Sequence, residues 1–501
     1  MKKNYKLGIA ATYVCYFINF IVTFIFTPFI IKNVTQTFYG IYQISLSIAA
    51  FLLILNFGIP NSFIRFYSIE KLKNKSDIKS LNSGYFFTMI AVSCIILIVG
   101  LILTFFVCPI VFSSFNAFEL ETFYKLNVVN CINAALTTIV SAFETYFYVH
   151  EKYHVDKISN CIHFCLSTII STILMVEGYP IYYIVCVTLL FTSLKLIFSF
   201  YYGRQRLGFS ISAKCVDFSQ MKTLYAYAIF IFINIVSDQV NWSIDRFLLG
   251  SMVGPNSSAV YSVASQLQSM YMQMMIAISA VFVTKINNLI SSGNNKEASD
   301  LFISVGRYQF MLSGLIIFGF ITYGKQFISF WAGNEYGNAY YIAIILLISA
   351  TPLYIQNIGT EIQRAKNLHK FRAFVYLFMS IFNLFISIVL IKLFDEIGAA
   401  IGTAIALIIG DGLITNYYYK KAVHLPVKEF WTSIVKITPA FIPIIVISII
   451  NKFFIVPIDF IHSIPHIVVF TLVYLLSIYL FVLEKTEKDK ILCIFRKDKL
   501  R

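Results

Sequence analysis

The chain has 501 residues, of which 58% are hydrophobic and only 13% are charged, and its formal net charge is +15. Soluble domains carry about 25% charged residues, so this composition excludes a water-soluble enzyme and indicates an all-α polytopic membrane protein. The basic excess does not require a nucleic-acid partner, because Lys and Arg are crowded into alternate loops, as cytoplasmic loops of membrane proteins are.

About fourteen segments are long and apolar enough to cross a membrane, since a helix needs about 20 apolar residues to do so. They lie near residues 8–31, 40–64, 83–107, 122–149, 158–176, 180–203, 223–249, 258–283, 307–330, 338–358, 371–391, 397–419, 433–452 and 465–483. A basic start and a basic tail then place both termini in the cytoplasm.

The loops between these spans differ in charge from one side to the other. Basic clusters occupy residues 2–6, 65–79, 152–157, 204–222, 285–307, 364–372, 420–428 and 485–501. The other loops are short and poor in Lys and Arg, at 32–39, 108–121, 177–179, 250–257, 331–337, 395–397 and 453–464. We therefore expect the second set to face the outside.

Two weak matches predict an internal repeat. Tyr39-Gly40-Ile41-Tyr42 resembles Ser258-Ala259-Val260-Tyr261, and Lys152-Tyr153 resembles Lys370-Phe371, at offsets of 219 and 218 residues. Repeats in one orientation predict two pseudo-symmetric six-helix lobes with a substrate cleft between them. The predicted parts are an N-terminal lobe at 1–203, a cytoplasmic linker at 204–222, a C-terminal lobe at 223–428, two C-terminal helices at 429–483 and a basic tail at 484–501.

The fourth span carries a polar stripe on one helical face. Its members recur every three or four residues: Asn130, Asn133, Thr137, Ser141, Glu144 and Tyr148. Polar groups are costly in lipid, so the stripe either lines a water-filled cavity or hydrogen-bonds a neighbouring helix.

The seventh span repeats this pattern with Asn234, Asp238, Asn241 and Asp245, followed by Arg246. Asp238 and Asp245 are seven residues apart and lie on nearly the same face, so either carboxylate could bind a cation. Asp245 and Arg246 could equally pair with other helices near the outer end of the span.

Three further charged residues lie at unusual places in apolar segments. Arg65 follows Gly58 and Pro60, which predict a break in the second span, and it is either an interfacial anchor or a ligand for a phosphate group. Lys195 lies deep in the sixth span, and Asp411 lies inside the twelfth. The same twelfth span carries small residues every fourth position, Gly398, Gly402, Ala406 and Gly410, which predict close helix packing.

No motif predicts an enzyme, a metal site or a bound cofactor. The nine cysteines include no C-x-x-C pair. The segment Gly319–Gln326 imitates a phosphate-binding loop but lacks the Ser or Thr that would hold magnesium.

Several stretches together resemble one family of transporters. They are Phe38-Tyr39-Gly40-Ile41-Tyr42 through Asn56-Phe57-Gly58 to Arg65, Asp245-Arg246-Phe247-Leu248-Leu249-Gly250, Trp331-Ala332-Gly333-Asn334-Glu335-Tyr336, and Ile397-Gly398-Ala399-Ala400-Ile401-Gly402-Thr403-Ala404. The order and spacing of these stretches carry the resemblance. The chain resembles bacterial polysaccharide and O-antigen repeat-unit flippases, the Wzx-like branch of the multidrug/oligosaccharidyl-lipid/polysaccharide exporter superfamily.

The resemblance implies a flippase in the bacterial plasma membrane that moves an undecaprenyl-diphosphate-linked oligosaccharide to the outer leaflet, driven by a proton or sodium gradient, for capsule, O-antigen or exopolysaccharide synthesis. A polysaccharide polymerase and a chain-length regulator are candidate partners.

The family commonly has a basic residue where Arg65 lies. With the predicted cavity, the head-group candidates are Arg65, Lys195, Arg246, Asn130, Asn133 and Asn241, and the ion-coupling candidates are Asp238, Glu144, Asp245 and Asp411. A multidrug/cation antiporter of the same superfamily and a non-transporting scaffold are the alternatives.

Overall fold

The structure is a computed structural model that describes residues 2–73, 75–211, 218–454, 459–483 and 488. Over these ranges every regular element is helical, which confirms the all-α prediction. Part of the predicted linker and all of the predicted basic tail except Lys488 lie outside the described residues.

Nineteen helices follow one another along the described chain. The first nine are α1 (Lys2–Asn33), α2 (Gln36–Leu52), α3 (Ile59–Lys73), α4 (Lys75–Ile102), α5 (Cys108–Val111), α6 (Ala117–Val149), α7 (Tyr153–Val176), α8 (Tyr182–Leu207) and α9 (Phe218–Met252). The others are α10 (Pro255–Ala280), α11 (Val283–Ser291), α12 (Asn295–Trp331), α13 (Ala339–Ile355), α14 (Asn357–Ala365), α15 (His369–Leu407), α16 (Thr415–Tyr418), α17 (Val427–Val435), α18 (Ile442–Phe454) and α19 (Ile464–Phe481).

The predicted count of fourteen spans is approximate. In the described residues eleven helical segments are long and apolar enough to cross a membrane, or twelve if the bent pair α10 and α11 forms one span. One of the eleven, residues 374–423, is 50 residues long and covers two predicted spans. It contains a break at Phe394 and Asp395, where the backbone leaves the helical region. The 35-residue helix α9, which covers the seventh predicted span, is not among the eleven.

By its contacts the chain divides into two compact units. Unit 1 consists of residues 1–262 and 376–402, and unit 2 of residues 263–375 and 403–501. The predicted lobes, residues 1–203 and 223–428, divide the chain at other positions than these units do. The division into lobes remains a prediction.

Unit 1 is organised around α6. This 33-residue helix packs against α2, α3, α4, α7 and α8. Its first turn is fixed by a capping box, in which Asn116 accepts from the Glu119 amide and the Glu119 carboxylate accepts from the Asn116 amide. Small buried side chains, Ala134, Ala135 and Ala142, let neighbouring helices approach it closely.

Unit 2 is organised around α12, which is 37 residues long and packs against α13, α14, α17, α18 and α19. Aromatic rings fill the contacts, as where Phe302 stacks on Phe430 with ring centroids 4.5 Å apart. A Cβ at Gly306 would lie 2.3 Å from the Phe430 ring, so the glycine is required by this packing.

Large apolar side chains remain exposed along whole helical faces. On α15 they recur at Phe374, Phe378, Phe385, Val389 and Leu393, each 58–66% exposed. A soluble protein rarely exposes such a continuous apolar surface. Together with the long apolar helices, it identifies a multi-pass membrane protein.

Contacts within unit 1 agree with the predicted alternation of loops. Three loops predicted on the outer side meet, because Thr37 donates to the Asn256 side chain at 2.8 Å and Ser257 donates to Glu396 at 3.1 Å. Two regions predicted on the inner side also meet, through a hydrogen bond of 3.2 Å between the Tyr67 hydroxyl and His150.

The predicted break in the second span is confirmed. A short 3-10 segment, Leu53–Asn56, follows α2, and the next two residues, Phe57 and Gly58, have φ of 49° and 68°. Glycine adopts this left-handed region without strain. A Cβ at Gly58 would also lie 2.7 Å from the Ile231 side chain.

Two of the four small residues of the twelfth predicted span, Gly398 and Gly402, pack closely as expected. The break at Asp395, where φ is 47°, folds α15 back on itself as a hairpin. A Cβ at Gly398 would lie 2.1 Å from the Leu390 carbonyl oxygen, and one at Gly402 would lie 2.4 Å from Ser387 Oγ. The two arms of the hairpin therefore touch through their backbones.

This close packing predicts a stability effect. We expect Gly402→Val to lower the free energy of unfolding by about 1–3 kcal/mol, because the new side chain overpacks the hairpin. Thermal unfolding of the purified protein in detergent measures it. Gly319→Ala in α12 is the matched control, since a Cβ there meets only Phe470 at 3.8 Å. Equal unfolding temperatures for both variants would contradict the hairpin packing.

Candidate functional site

A partly buried ion pair joins α6 to α8 inside unit 1. Lys195 Nζ donates to Glu144 Oε1 and to Asn160 Oδ1 on α7. The two charged side chains are only 10% and 24% exposed. Their predicted roles, a head-group ligand for Lys195 and an ion-coupling acid for Glu144, therefore belong to one shared site.

The pair extends into a larger charged cluster on α7. Asn160 donates to Asp156 Oδ1 at 2.9 Å, and Tyr148 donates to Asp156 Oδ2 at 3.1 Å. Lys157 Nζ lies 3.5 Å from the same carboxylate. We call the set Glu144, Tyr148, Asp156, Lys157, Asn160 and Lys195 the α6–α8 cluster.

Charge balance is the main electrostatic property of the α6–α8 cluster. Two carboxylates, Glu144 and Asp156, face two ammonium groups, Lys157 and Lys195. A buried charge is tolerated when it is paired and hydrogen-bonded. A cation that binds here therefore competes with a lysine ammonium for a carboxylate.

Asp156 and Asn160 were not among the predicted site residues. Asp156 is 2% exposed, although it lies in the basic segment 152–157, seven residues beyond the end of the fourth predicted span at 149. The i to i+4 spacing of Asp156 and Asn160 was a usable signal, because it places both on one face of α7.

The other end of the polar stripe on α6 forms a separate network. Asn130 donates to Ser45 Oγ at 2.8 Å, Ser45 donates to Asn127 at 3.0 Å, and Asn127 donates to Thr104 at 2.7 Å. These groups tie α6 to α2 and to the end of α4. Asn130 thus makes the interhelical bonds of a packing residue.

Asn133, which lies between the two networks, is half-buried. Its Oδ1 atom is buried and has no hydrogen-bond partner among the described residues. A buried acceptor without a partner is costly, so Asn133 is the member of the stripe best suited to meet a donor from a ligand.

Asp245 and Arg246 on α9 connect two other helices of unit 1. Arg246 donates to Gln43 of α2 at 3.2 Å and to the Trp242 carbonyl at 3.1 Å. Tyr261 of α10 donates to Asp245. We call this arrangement, with the adjacent Thr37–Asn256 hydrogen bond, the outer clasp.

Close backbone contact reinforces the outer clasp. A Cβ at Gly40 would lie 1.8 Å from the Pro255 carbonyl oxygen, and one at Gly250 would lie 2.3 Å from the Ile44 side chain. The starts of α2 and α10 and the end of α9 are therefore in direct contact.

The remaining candidates of unit 1 are more accessible. Arg65 on α3 and Asp238 on α9 are exposed, and Asn241 is half-buried. The side chain of Asn234 is not among those described.

Asp411 has its own ion pair in unit 2. It is 6% exposed in a π-helical segment, Ile408–Ile414, and lies 4.0 Å from Arg372 Nη2. Arg372 also donates to Thr360, whose hydroxyl lies 3.1 Å from that of Tyr419. The sequence assigned Arg372 to a cytoplasmic basic cluster, so its partnership with Asp411 was missed.

Residues 6–284, more than half of the chain, match the family described as "Polysaccharide biosynthesis protein". The chain belongs to this family. Comparison with curated protein sequences gives no significant match.

The fold of this polysaccharide biosynthesis protein is shared with solved transporters. A structure of the lipid II flippase MurJ in an inward closed conformation has a TM-score of 0.74 at 17% identity, covering 99% of this chain and 100% of that one. An inward-facing MATE multidrug-resistance transporter has a TM-score of 0.62 at 13% identity, covering 79% and 96%. The Vibrio cholerae MATE transporter VcmN has a TM-score of 0.58 at 12% identity, covering 85% and 98%.

Proposed function

We propose that this protein is a flippase that moves an undecaprenyl-diphosphate-linked oligosaccharide repeat unit from the cytoplasmic to the outer leaflet by alternating access. The observation that carries the proposal is the membership of a multi-span membrane protein in a polysaccharide biosynthesis family. Glycan precursors built on a lipid in one leaflet must cross the bilayer, and a chain made almost wholly of spanning helices is suited to that step.

A multidrug or cation antiporter is the second candidate, and the MATE-like fold favours it. The fraction of the chain covered by each structural similarity favours the flippase. The MurJ fold covers 99% of this chain, whereas the first MATE structure covers 79%. A scaffold without transport would have no use for charges buried within spans, since these are costly.

We assign head-group binding first to the accessible cation Arg65. A guanidinium presents a planar fork of donors and a permanent charge, which suit a diphosphate. Asn133 and Asn241 offer amide groups for sugar hydroxyls. Asn130, Lys195 and Arg246 already bind neighbouring helices, and their part in substrate binding requires those contacts to open.

Ion coupling is assigned to the α6–α8 cluster and to the Asp411–Arg372 pair, with Asp238 and Asp245 as further acids. A proton or sodium ion that binds Glu144 competes with the Lys195 ammonium for the same carboxylate. Binding of the ion therefore weakens the link between α6 and α8. The same argument applies to Asp411 when its contact with Arg372 is released.

The proposed setting is the bacterial plasma membrane, with both termini in the cytoplasm. The flippase would supply lipid-linked repeat units for capsule, O-antigen or exopolysaccharide synthesis. A polysaccharide polymerase and a chain-length regulator would act on the flipped product.

The site assignment predicts a loss of function without loss of protein. We expect Arg65→Ala and Asp238→Ala to impair surface-polysaccharide assembly while membrane abundance stays normal, because both side chains are exposed and neither substitution leaves a cavity. Immunoblots of membranes and gel analysis of surface polysaccharide measure the two quantities. Arg204→Ala and Glu121→Ala, at other exposed charged positions, are the controls. Normal export by both test variants would remove these residues from the site.

Coupling to an ion gradient predicts a second result. In vesicles containing the purified protein, flipping of a fluorescent lipid-linked oligosaccharide should slow when proton and sodium gradients are both collapsed. Restoring one gradient at a time identifies the ion. A rate indifferent to both gradients would contradict the coupling mechanism.

A further inference from the structure

Unit 2 has a groove on α12 whose walls are almost entirely apolar. It has a volume of about 300 Å³ and runs between α12 and α19, past Gly319, Tyr323, Phe327 and Phe470. Gly319 is open to it, because a Cβ there would meet only the Phe470 ring at 3.8 Å.

A polar pocket of about 450 Å³ adjoins the groove at the end of α12. Its polar wall consists of Lys325, Gln326, Ser329, Asp459 and His462. Phe460 lines both cavities and packs against Phe327 and Phe330, at ring-centroid distances of 5.4 and 5.2 Å. The polar pocket and the apolar groove therefore lie next to each other, with the Phe460 ring as a shared wall.

The pocket carries one charge of each sign. Lys325 is exposed and its ammonium lies 5.4 and 5.1 Å from the ring centroids of Tyr340 and Tyr341. Asp459 lies 3.9 Å from His462. Gln326 adds a buried Oε1 atom that has no hydrogen-bond partner among the described residues. The pocket thus offers a cation for a phosphate, an exposed carboxylate beside an imidazole, and one buried acceptor that lacks a donor among the described residues.

We propose that this composite site binds one bilayer phospholipid with a phosphoethanolamine head group, whose acyl chain lies in the groove. The phosphate accepts from Lys325, and the ammonium donates to Asp459 and to Gln326 Oε1. A choline head group has no N–H to donate, and an anionic glycerol head group leaves Asp459 facing a phosphate without an ammonium between them.

Head-group chemistry decides the selectivity of such a site. An acyl chain gains little by leaving the bilayer for an apolar groove, because lipid tails are as apolar as the side chains that line it. The charge-assisted hydrogen bonds in the pocket have no such equivalent in bulk lipid. The groove determines whether an acyl chain fits, and the pocket determines which head group is preferred.

Native mass spectrometry of the purified full chain tests the proposal with defined lipids. The protein is mixed with equal amounts of phosphatidylethanolamine, phosphatidylcholine and phosphatidylglycerol of the same acyl chains. We expect one retained phosphatidylethanolamine, bound about ten-fold more tightly than either competitor, since a hydrogen bond to a charged group contributes about that factor. Equal retention of all three lipids would overturn the proposal.

Variants separate the groove from the pocket. Gly319→Leu should abolish retention by filling the groove, whereas Gly319→Ala should leave it intact. Asp459→Asn should remove the preference for phosphatidylethanolamine over phosphatidylcholine, and Lys325→Gln should weaken all three lipids. Lys421→Gln is the matched control, because Lys421 also lies over a tyrosine ring, at 4.9 Å from Tyr417, but does not line the pocket.

The head-group variants keep the proposal testable if Gly319→Leu does not fold. An unchanged lipid preference in Asp459→Asn, together with undiminished lipid retention in Lys325→Gln, would overturn it. The measurement involves no transport, so its outcome is independent of whether the protein is a flippase.

Discussion

Replacing Lys195 by methionine is expected to lower the free energy of unfolding by about 1–3 kcal/mol, the cost of removing a charged hydrogen-bond donor from a partly buried carboxylate. Glu144 would lose its ammonium group, and Asn160 would lose the donor that orients its amide. Methionine has a similar length and no charge, so the effect isolates the electrostatic contribution. The unfolding temperature in detergent and the membrane abundance of the variant measure it.

A double substitution is the decisive comparison for this prediction. Glu144→Gln combined with Lys195→Met removes both charges, and we expect it to recover most of the lost stability. Lys125→Met is the surface control, because Lys125 and Glu121 form an exposed pair at 2.7 Å and such a pair contributes about 1 kcal/mol or less. Losses of equal size for Lys195→Met and Lys125→Met would contradict the buried pair.

The double variant Glu144→Gln with Lys195→Met also distinguishes a role of this ion pair in stability from a role in ion coupling. If Glu144 binds the coupling ion, the stable but uncharged protein should no longer respond to an ion gradient in the vesicle assay. A gradient response equal to that of the native protein would assign coupling to another acid, with Asp411 next in order because it is also buried and paired.

Cross-linking the outer clasp is expected to abolish transport. Thr37 Oγ1 and Asn256 Oδ1 are 2.8 Å apart, so cysteines introduced at both positions lie close together. Alternating access requires α2 and α10 to separate at this end when the other end closes. A disulfide there holds the protein in one state, and a reductant should restore flipping.

The cross-link requires a background without the nine native cysteines. Thr37→Cys and Asn256→Cys alone are the controls, and each should transport under oxidising conditions. Oxidised double-cysteine protein, shown by gel shift to be cross-linked, stays active only if transport does not require the clasp to open. Full activity of that species would therefore contradict the role of the clasp in gating.

Hydropathy and backbone chemistry account for the parts of the fold that were predictable. The turn at Asp395 and the break at Gly58 follow from local signals, which are charged residues between apolar runs and a glycine two residues before a proline. Both arise within a few residues of sequence, where periodicity and conformational preference act. The span count was less secure, because α15 continues through its break, and because α10 ends at Ala280 and is followed, at a bend of 43°, by the short helix α11.

Partner choice between helices was not predictable. A polar stripe on α6 shows which face is polar but not which helix lies opposite it. Lys195 is 51 residues from Glu144 and 35 from Asn160, and no local pattern joins such positions. Arg372 illustrates the same limit, since a basic residue near a helix end has the same sequence signature whether it faces water or Asp411.

The Thr37–Asn256 contact also bears on the origin of the chain. Its partners are 219 residues apart, which equals the offset of the predicted repeat. If the predicted repeat arose by fusion of two six-helix chains, this position would have contacted its own copy in a symmetric dimer of those chains. A residue on such an axis must complement itself, as a hydroxyl or an amide can because each both donates and accepts. Fusion would then free the two copies to differ, as threonine and asparagine do here.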